Sequence, residues 1–137
     1  MQTKTETPIA AFVAAPFDLA SLPAKPGETR IGALVRAWER EKARYELATI
    51  DLDTDDESEA ALDERDRRLG AIEDAICTDA TAFALGDVAE ILRLVRIVSH
   101  LHDDGLDEAD RARVLRLVDA ATGAVKDLEQ QASRDAA

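Results

Sequence analysis

The sequence predicts an all-α fold: an antiparallel bundle of three to four main helices with an extended, proline-containing N-terminal arm. Four stretches of apolar residues recur at helical spacing, beginning near Ile31, Ser58, Thr81 and Glu108. The composition agrees, because 46% of the residues are hydrophobic, only 4% are aromatic and 34% are charged. Such values, with few Gly or Pro residues, are typical of a helical protein.

The chain of 137 residues has the length of one domain. We expect the helical bundle at 30–131, between an irregular arm at 1–29 and a frayed tail at 132–137. Short connections between the predicted helices favour antiparallel neighbours. These connections lie near residues 53–57, 78–81 and 103–107.

The N-terminal arm contains all four prolines of the chain. This spacing prevents a long helix, because each proline lacks an N–H donor and restricts the residue before it. The arm is nevertheless rich in apolar residues, namely Ile9, Phe12, Val13, Phe17, Leu19 and Leu22. It is either an extended segment that covers part of the bundle core, which we favour, or a peptide that docks on another protein.

The first two predicted helices each have one apolar face. Thr29 is a suitable N-cap for the first helix, and its apolar stripe consists of Ile31, Leu34, Val35, Trp38, Tyr45 and Leu52. The core face of the second consists of Leu62, Leu69, Ile72 and Ile76. Arg65 projects from this second face, so it either extends to the edge or pairs with a carboxylate of another helix. Gly70 weakens a helix interior by roughly 1 kcal/mol relative to Ala, and a close helix crossing would explain it.

The third predicted helix is apolar over most of its circumference. Its apolar residues are Val88, Ile91, Leu92, Leu94, Val95, Ile97, Val98 and Leu101. A helix of this kind needs neighbours on several sides, so we expect it at the centre of the bundle or at the face of an oligomer. Asp107 is a suitable N-cap for the fourth helix, whose stripe consists of Val114, Leu117, Val118, Ala121, Val125 and Leu128.

The formal net charge of -12 bears on partners and location. An acidic chain repels phosphate backbones, which argues against unspecific nucleic-acid binding. No apolar run is long enough to span a bilayer, and the run Ile9–Ala15 between two prolines does not fit a signal peptide. The single Cys77 allows no intramolecular disulfide. We therefore expect a cytoplasmic protein that does not act at membranes.

The acidic segment before the second helix imitates a calcium loop. Asp51, Asp53 and Asp55 stand at its first, third and fifth positions. The glycine and the bidentate glutamate that an EF-hand needs at positions six and twelve are replaced by Asp56 and Leu62. An acidic helix start, favoured by the helix dipole, explains these residues more simply.

The two histidines and the single cysteine are candidates for a reactive site, but each lacks a residue that such a site requires. His100 and His102 suggest a metal-dependent helical hydrolase, but they point to different helix faces and are the only histidines. Cys77 has no evident base in the sequence and is best interpreted as a small buried hydrophobe. The sequence also contains neither a P-loop nor a dinucleotide fingerprint. We therefore expect no catalytic residue, no cofactor and no metal.

Arg93, Arg96 and His100 form a basic wedge on the third predicted helix. Pairing with the acidic segment Asp51–Glu59 is the ordinary explanation. Binding of an acidic partner or of phosphate is the functional alternative, and simple exposure to solvent is the third.

One segment of the chain carries a resemblance. The run Ala75-Ile76-Cys77-Thr78-Asp79-Ala80-Thr81, continuing through Leu85-Gly86-Asp87-Val88-Ala89 to Leu92, resembles a segment of small helical proteins of alphaproteobacteria and their prophages. In those proteins a helix ends, a short Ala/Thr turn follows and an apolar helix begins. The resemblance implies a bacterial or phage origin and no particular activity.

These patterns predict a small non-enzymatic helical protein that acts through protein–protein interaction, as an adaptor or by self-association through the third helix. The candidate interaction residues are Phe12, Phe17, Trp38, Arg65, Arg93, Arg96, Ile97, His100 and Leu101. The alternative is an acidic mimic or inhibitor of phage origin that occupies a basic nucleic-acid-binding surface on another protein. Its carboxylates would be Asp51, Asp53, Asp55, Asp56, Glu57 and Glu59.

Overall fold

The computed structural model describes residues 8–50, 55–78, 80–100 and 107–136, without the side chains of 55–58 and 100. Within these residues the chain forms α-helices and no strand, which confirms the predicted all-α fold. The helices are α1 (Pro8–Ala14), α2 (Arg30–Thr49), α3 (Asp55–Thr78), α4 (Leu85–His100) and α5 (Glu108–Asp135). None of them, over the described residues, combines the length and the apolar character that crossing a membrane requires.

Side-chain caps determine where several helices begin. The Thr29 hydroxyl accepts a hydrogen bond from the Gly32 N–H at 3.1 Å, and the Asp107 carboxylate caps α5 in the same manner. Both caps confirm the sequence predictions. Asp87, in the first turn of α4, accepts hydrogen bonds from the Phe83 N–H at 2.8 Å and from the Thr29 hydroxyl at 2.6 Å. This buried carboxylate therefore links the start of α4 to the start of α2.

The bundle consists of two helical hairpins, α2–α3 and α4–α5, joined side by side. Two contacts join the hairpins, Thr29 with Asp87 and Glu39 with Arg93. The residue numbers increase on both helices from the first contact to the second, so α2 and α4 run parallel. The consecutive helices α3 and α4 do not pack on each other in the described part of the chain. They lie diagonally opposite, so the prediction that the short connection near 78–81 joins antiparallel neighbours is wrong.

Helix α2 is the most deeply buried helix. Its residues Ile31, Leu34, Val35 and Trp38 expose at most 1% of their surface. The expectation that the third predicted helix, now α4, lies at the centre is wrong, because Leu92 is 49% exposed. The reason is geometric: among the described helices, α2 packs against α1, α3 and α4, whereas α4 packs against α2 and α5 alone.

The N-terminal arm covers part of the core, as favoured from the sequence, but it is not wholly irregular. Pro8 begins α1, since a proline at the first helical position gives up no helical hydrogen bond. Ile9 and Phe12 of α1 form a second apolar cluster with Ala48 and Ala61. The remainder of the arm packs on the main core through three partly buried residues, Phe17, Leu19 and Leu22.

The C-terminal helix is longer than predicted. Helix α5 continues to Asp135 instead of fraying after 131. Arg134 lies in its last turn, where a positive charge interacts favourably with the helix dipole. The Ala136 N–H also bonds back to the Ala132 carbonyl at 3.0 Å.

Candidate interaction surface

Arg68 is a buried guanidinium that joins three segments of the chain. Only 1% of the residue is exposed. Its Nε lies 2.7 Å from Glu64 and its Nη1 lies 3.2 Å from Glu41 on α2. Its Nη2 donates to the carbonyl oxygens of Val13 at 3.2 Å and Ala15 at 2.7 Å. The group is fully occupied in holding the arm to α2 and α3.

Glu64 completes this cluster as an acceptor that is charged at neutral pH. The hydrogen bond from Arg67 lowers its pKa to about 2; burial opposes the shift, and Arg68 adds to it. A carboxyl group with so low a pKa carries no proton at neutral pH. It therefore cannot act as a general acid there.

Glu73 forms a second buried cluster that joins α2, α3 and α5. It is 3% exposed. The Trp38 indole donates to it at 3.3 Å, and Arg113 binds both carboxylate oxygens, at 3.0 and 2.9 Å. Although burial opposes the charge of Arg113, the hydrogen bonds to Glu73 raise the pKa of the guanidinium. Like Arg68, Glu73 serves the packing of the bundle.

Cys77 lines a cleft of about 380 Å³ between the end of α3 and the middle of α5. The cleft has an apolar floor that includes Ile76 and Ile91, small side chains on its walls, and Arg116 and Asp119 among its charged residues. Burial raises the pKa of the Cys77 thiol. The thiol is therefore protonated at neutral pH and is a poor nucleophile. Its half-buried position agrees in part with the predicted buried hydrophobe.

Two aromatic residues predicted to contact a partner are instead buried inside the chain. Trp38 lies in the main core and Phe12 lies on the buried side of α1, so neither ring is free to contact another molecule. Phe17 is half-buried, with the guanidinium groups of Arg67 and Arg68 5.8 and 5.3 Å from its ring centre. Phe12, Phe17 and Trp38 therefore pack within the chain, in line with the predicted core-covering arm and the apolar stripe of the first predicted helix.

Arg65 and Arg93 have partners within the chain. Arg65 lies 4.7 Å from the centre of the Tyr45 ring and donates to Asp66, the next residue, instead of pairing with a carboxylate of another helix. Arg93 pairs with Glu39 of α2 and with Glu90. The proposed pairing of Arg93 with the acidic segment 51–59 falls largely outside the described residues, since side chains of that segment are described only at Glu59.

The remaining candidates differ in what the structure shows of them. Arg96 is exposed on α4. Ile97 is half-buried in a shallow groove beside Trp38 and Lys42. The His100 side chain and Leu101 lie outside the described residues, as do the side chains of 51–58, on which the calcium-loop interpretation depended. Among the described residues, no three His, Cys, Asp or Glu side chains are placed to hold a metal ion.

Among the described residues, four exposed apolar side chains lie on the outer side of α4 and α5. Leu85 is 72% exposed, Leu92 49%, Leu115 62% and Val118 36%. They belong to two exposed stripes at helical spacing, which we call the α4–α5 face. The α4 stripe is Leu85, Ala89, Leu92 and Arg96, and the α5 stripe is Arg111, Leu115, Val118, Thr122 and Lys126.

Contacts elsewhere on the two helices indicate the direction in which each stripe faces. Arg93 marks the side of α4 that meets α2, and Leu92 and Leu85 lie around the helix from it, toward α5. Arg113 marks the side of α5 that meets α3. Leu115 and Val118 lie away from that side, toward α4. From these positions we infer that the apolar side chains of both stripes face the same outer side of the α4–α5 hairpin.

Sequence reasoning missed most of the α4–α5 face because it placed Val118 in the core stripe of its helix and left Leu92 either at the centre of the bundle or at the face of an oligomer. Of the residues of this face, the sequence analysis singled out Arg96, Leu92 and Val118. It assigned none of them to a surface formed by both helices. Leu85 and Leu115 fall outside the main stripes of their helices. An apolar residue outside the main stripe was the available signal.

No model of a known protein family matches the chain, and comparisons with curated proteins and with solved structures found no similar protein. Any proposal about function therefore depends on the geometry of this chain.

Proposed function

We propose that this chain is a small non-enzymatic helical protein that acts through protein–protein interaction, with the α4–α5 face as its contact surface. The observation that carries the proposal is the group of four large apolar side chains exposed together on α4 and α5: Leu85, Leu92, Leu115 and Val118. Contiguous apolar patches on a folded protein mark sites of association, whereas single exposed apolar residues are ordinary.

The buried charges support the non-enzymatic part of the proposal. Glu41, Glu64 and Glu73 are each bound by arginines, and Arg68 also holds the arm. A catalytic acid or base must exchange protons with a bound substrate. These groups instead use their hydrogen bonds to join helices.

The proposal includes a cytoplasmic location and a bacterial or phage origin. The cytoplasmic location is supported by cysteine usage, since the chain has one Cys and no possible intramolecular disulfide. The origin is supported by the resemblance of the segment from Ala75 to Leu92 to small alphaproteobacterial and prophage proteins.

Charged substitutions on the α4–α5 face test the proposal. We expect the double variant Leu92→Glu/Leu115→Glu to lose its partner in affinity capture from the native host. If the partner is a second copy, light scattering should instead show loss of the oligomer. Both side chains are exposed, so circular dichroism should show an unchanged helix content.

The matched control is Leu47→Glu, since Leu47 is 69% exposed on α2, outside the face. This variant should keep the partner. Equal binding by the double variant and the wild type, or loss of binding in the control alone, would contradict the assignment of the surface.

The acidic-mimic alternative is supported by the net charge of -12 and by the carboxylates of residues 51–59. It predicts a basic partner whose binding weakens steeply with salt. It also predicts that Leu92→Glu/Leu115→Glu leaves binding intact. The same pair of measurements therefore separates the two functions.

A further inference from the structure

We propose that the cleft between α3 and α5 binds a small amphipathic amine, with the apolar part of the ligand inside the cleft and its ammonium group at the carboxylates of the mouth. The cleft contains no residue of the α4–α5 face, so this inference goes beyond the proposed function and does not depend on it. It depends on the position and lining of the cleft and on the charges at its mouth.

The cleft opens beside α5 just beyond the end of α3. Glu73 pairs with Arg113, and the Cys77 thiol donates to the Arg116 carbonyl at 3.7 Å. The residue numbers increase on both helices from the first contact to the second, so α3 and α5 run parallel. Helix α3 ends one residue after Cys77, whereas α5 continues to Asp135. The cleft therefore lies where α5 extends past the end of its neighbour.

The size and the lining of the cleft suit the apolar part of a small molecule. Its volume of about 380 Å³ lies within the range of about 300–1,000 Å³ that is typical of ligand sites. Ile31, Ile76 and Ile91 form its floor, and each is at most 2% exposed. The half-buried Ala80 and Ala120 belong to its walls. An alkyl chain placed in the cleft would therefore contact apolar groups on several sides.

The mouth of the cleft carries two carboxylates that the fold itself does not use. Asp119 and Asp127 line the cleft and are exposed, and no described residue forms an ion pair or a hydrogen bond with either of them. Among the described residues, Arg116 is the single basic residue of the lining, and it already pairs with Asp74 at 2.6 Å. Lys126 points about 100° around α5 from Asp127, in the stripe of the α4–α5 face. A cation at the mouth would therefore meet carboxylates without partners.

The Cys77 thiol responds to the charges around the cleft. Burial raises the pKa of the thiol; Arg116 opposes the shift, while Glu73, Asp74 and Asp119 add to it. Three carboxylates and one guanidinium therefore act on the interior of the cleft. The thiol itself stays uncharged at neutral pH and gives the apolar part of a ligand a compact neighbour.

A primary ammonium suits these groups better than other charged groups do. It has three N–H donors, and hydrogen bonds between an ammonium and a carboxylate are stronger than those between neutral groups. A quaternary ammonium has no N–H and is typically bound by aromatic rings, which are absent from the lining formed by the described residues. An anionic ligand would be repelled by Asp119, by Asp127 and by the net charge of -12.

Octylamine, octanol and octanoate test this preference, because they share one alkyl chain and differ only in the head group. In isothermal titration calorimetry at neutral pH, we expect octylamine to bind about tenfold more tightly than octanol. Octanoate should bind most weakly. In nitrogen-15 NMR spectra, octylamine should shift the backbone amide signals of Ala120, Gly123 and Ala124 more than those of the α4–α5 face.

Removing the charges at the mouth should remove the preference. Asp119→Asn/Asp127→Asn should bind octylamine no more tightly than octanol, while its affinity for octanol stays that of the wild type. The matched control, Asp63→Asn/Glu129→Gln, removes the same charge at two exposed residues that do not line the cleft. It should keep the tenfold preference.

Gly123 allows a steric test of where the amine binds. It lines the cleft, and a Cβ built on it meets no heavy atom within 4 Å, so a larger side chain can enter the open space without strain. Gly123→Leu should therefore fill the cleft and abolish the binding of octylamine and of octanol. Gly123→Ala adds one methyl group and should keep most of the affinity. Circular dichroism should show that both variants are folded.

Three results would overturn the inference. Equal binding of octylamine and octanol to the wild type would show that the carboxylates do not select the ligand. Binding of octylamine that is unchanged in Gly123→Leu would place the amine outside the cleft. Absence of octylamine binding to the wild type would contradict the site itself. Leu92→Glu/Leu115→Glu should bind octylamine as the wild type does, so a failure of the α4–α5 face as a contact surface remains distinguishable from a failure of the cleft.

Discussion

Arg68 shows how much of this fold depends on a single residue. Its guanidinium binds two carboxylates and two backbone carbonyl oxygens, on three different segments. Removing one member of a buried ion pair leaves the other charged and without a partner, which typically destabilises a protein by about 3–5 kcal/mol. No sequence pattern reveals such a group, because its partners Glu41 and Ala15 are 27 and 53 residues away along the chain.

Glu64 gives this cluster a defined pH dependence. Its pKa falls from 4.5 to about 2 on folding. A depressed pKa contributes stability above the unfolded value, and this contribution is lost as the pH falls from 4.5 toward 2. We expect Glu64→Gln to lower the free energy of unfolding near neutral pH and to approach the wild type at acidic pH, measured by urea denaturation at a series of pH values.

The neighbouring residue provides the control for this pH dependence. Asp63 is exposed on the same turn of α3, and Asp63→Asn should change stability far less. A difference between Glu64→Gln and the wild type that stays constant from neutral to acidic pH would show that the ion pairs do not cause the effect.

Gly70 lies in the middle of α3 without a close neighbour. A Cβ built on it meets no heavy atom within 4 Å, so the close helix crossing expected from the sequence is not present there. Gly70→Ala should therefore stabilise the protein by roughly 0.5–1 kcal/mol through its helix propensity. Thermal denaturation measures this change, and a lower melting temperature would contradict the open space around Gly70.

At the scale of the elements, the sequence predicted local features better than distant ones. The caps Thr29 and Asp107 were predicted because the groups they bond lie three residues away. Helix α1 was missed because prolines were interpreted as barriers to helix formation, although Pro8 stands where a helix tolerates proline. The arm is attached to its own bundle through contacts with Ala61 and Arg68. Both residues are distant in sequence, so no local pattern predicts these contacts.

Substitutions at two adjacent residues of α1 test how much the packing of the arm contributes to the free energy of unfolding. Phe12 is buried whereas Val13 is 42% exposed. Phe12→Ala should destabilise the protein by about 3–5 kcal/mol through loss of burial and a residual cavity. Val13→Ala should stay within about 1 kcal/mol. Chemical denaturation compares them, and equal small effects would show that α1 adds little to stability.

At the scale of the whole molecule, the sequence predicted the bundle but not its arrangement. Helical periodicity predicts the number of helices and their apolar faces, while a short connection only limits how far apart two helix ends lie. It therefore did not reveal that α3 and α4 are diagonal. The broad apolar surface of α4 left two interpretations open, central burial or an oligomer face, because hydrophobicity shows that a surface favours burial but not which molecule buries it.

The net charge acts on the molecule as a whole. With a charge of -12, self-repulsion opposes the compact state and salt screens it. We expect the melting temperature at neutral pH to rise by a few degrees between low and moderate sodium chloride. Near pH 4.5, where the net charge is close to zero, the rise should vanish. A fall with salt at neutral pH would mean that the ion pairs outweigh the repulsion.

The position of Arg68 has a consequence for synthesis on the ribosome. The Ala15 carbonyl accepts a hydrogen bond from a guanidinium that lies 53 residues further along the chain. At a translation rate of about 5–20 residues per second, Arg68 is synthesised roughly 3–10 s after Ala15. During this time the apolar side of the nascent N-terminal helix is without its final cover. During synthesis, Ile9 and Phe12 are therefore accessible to a chaperone that binds nascent chains at the ribosomal tunnel exit.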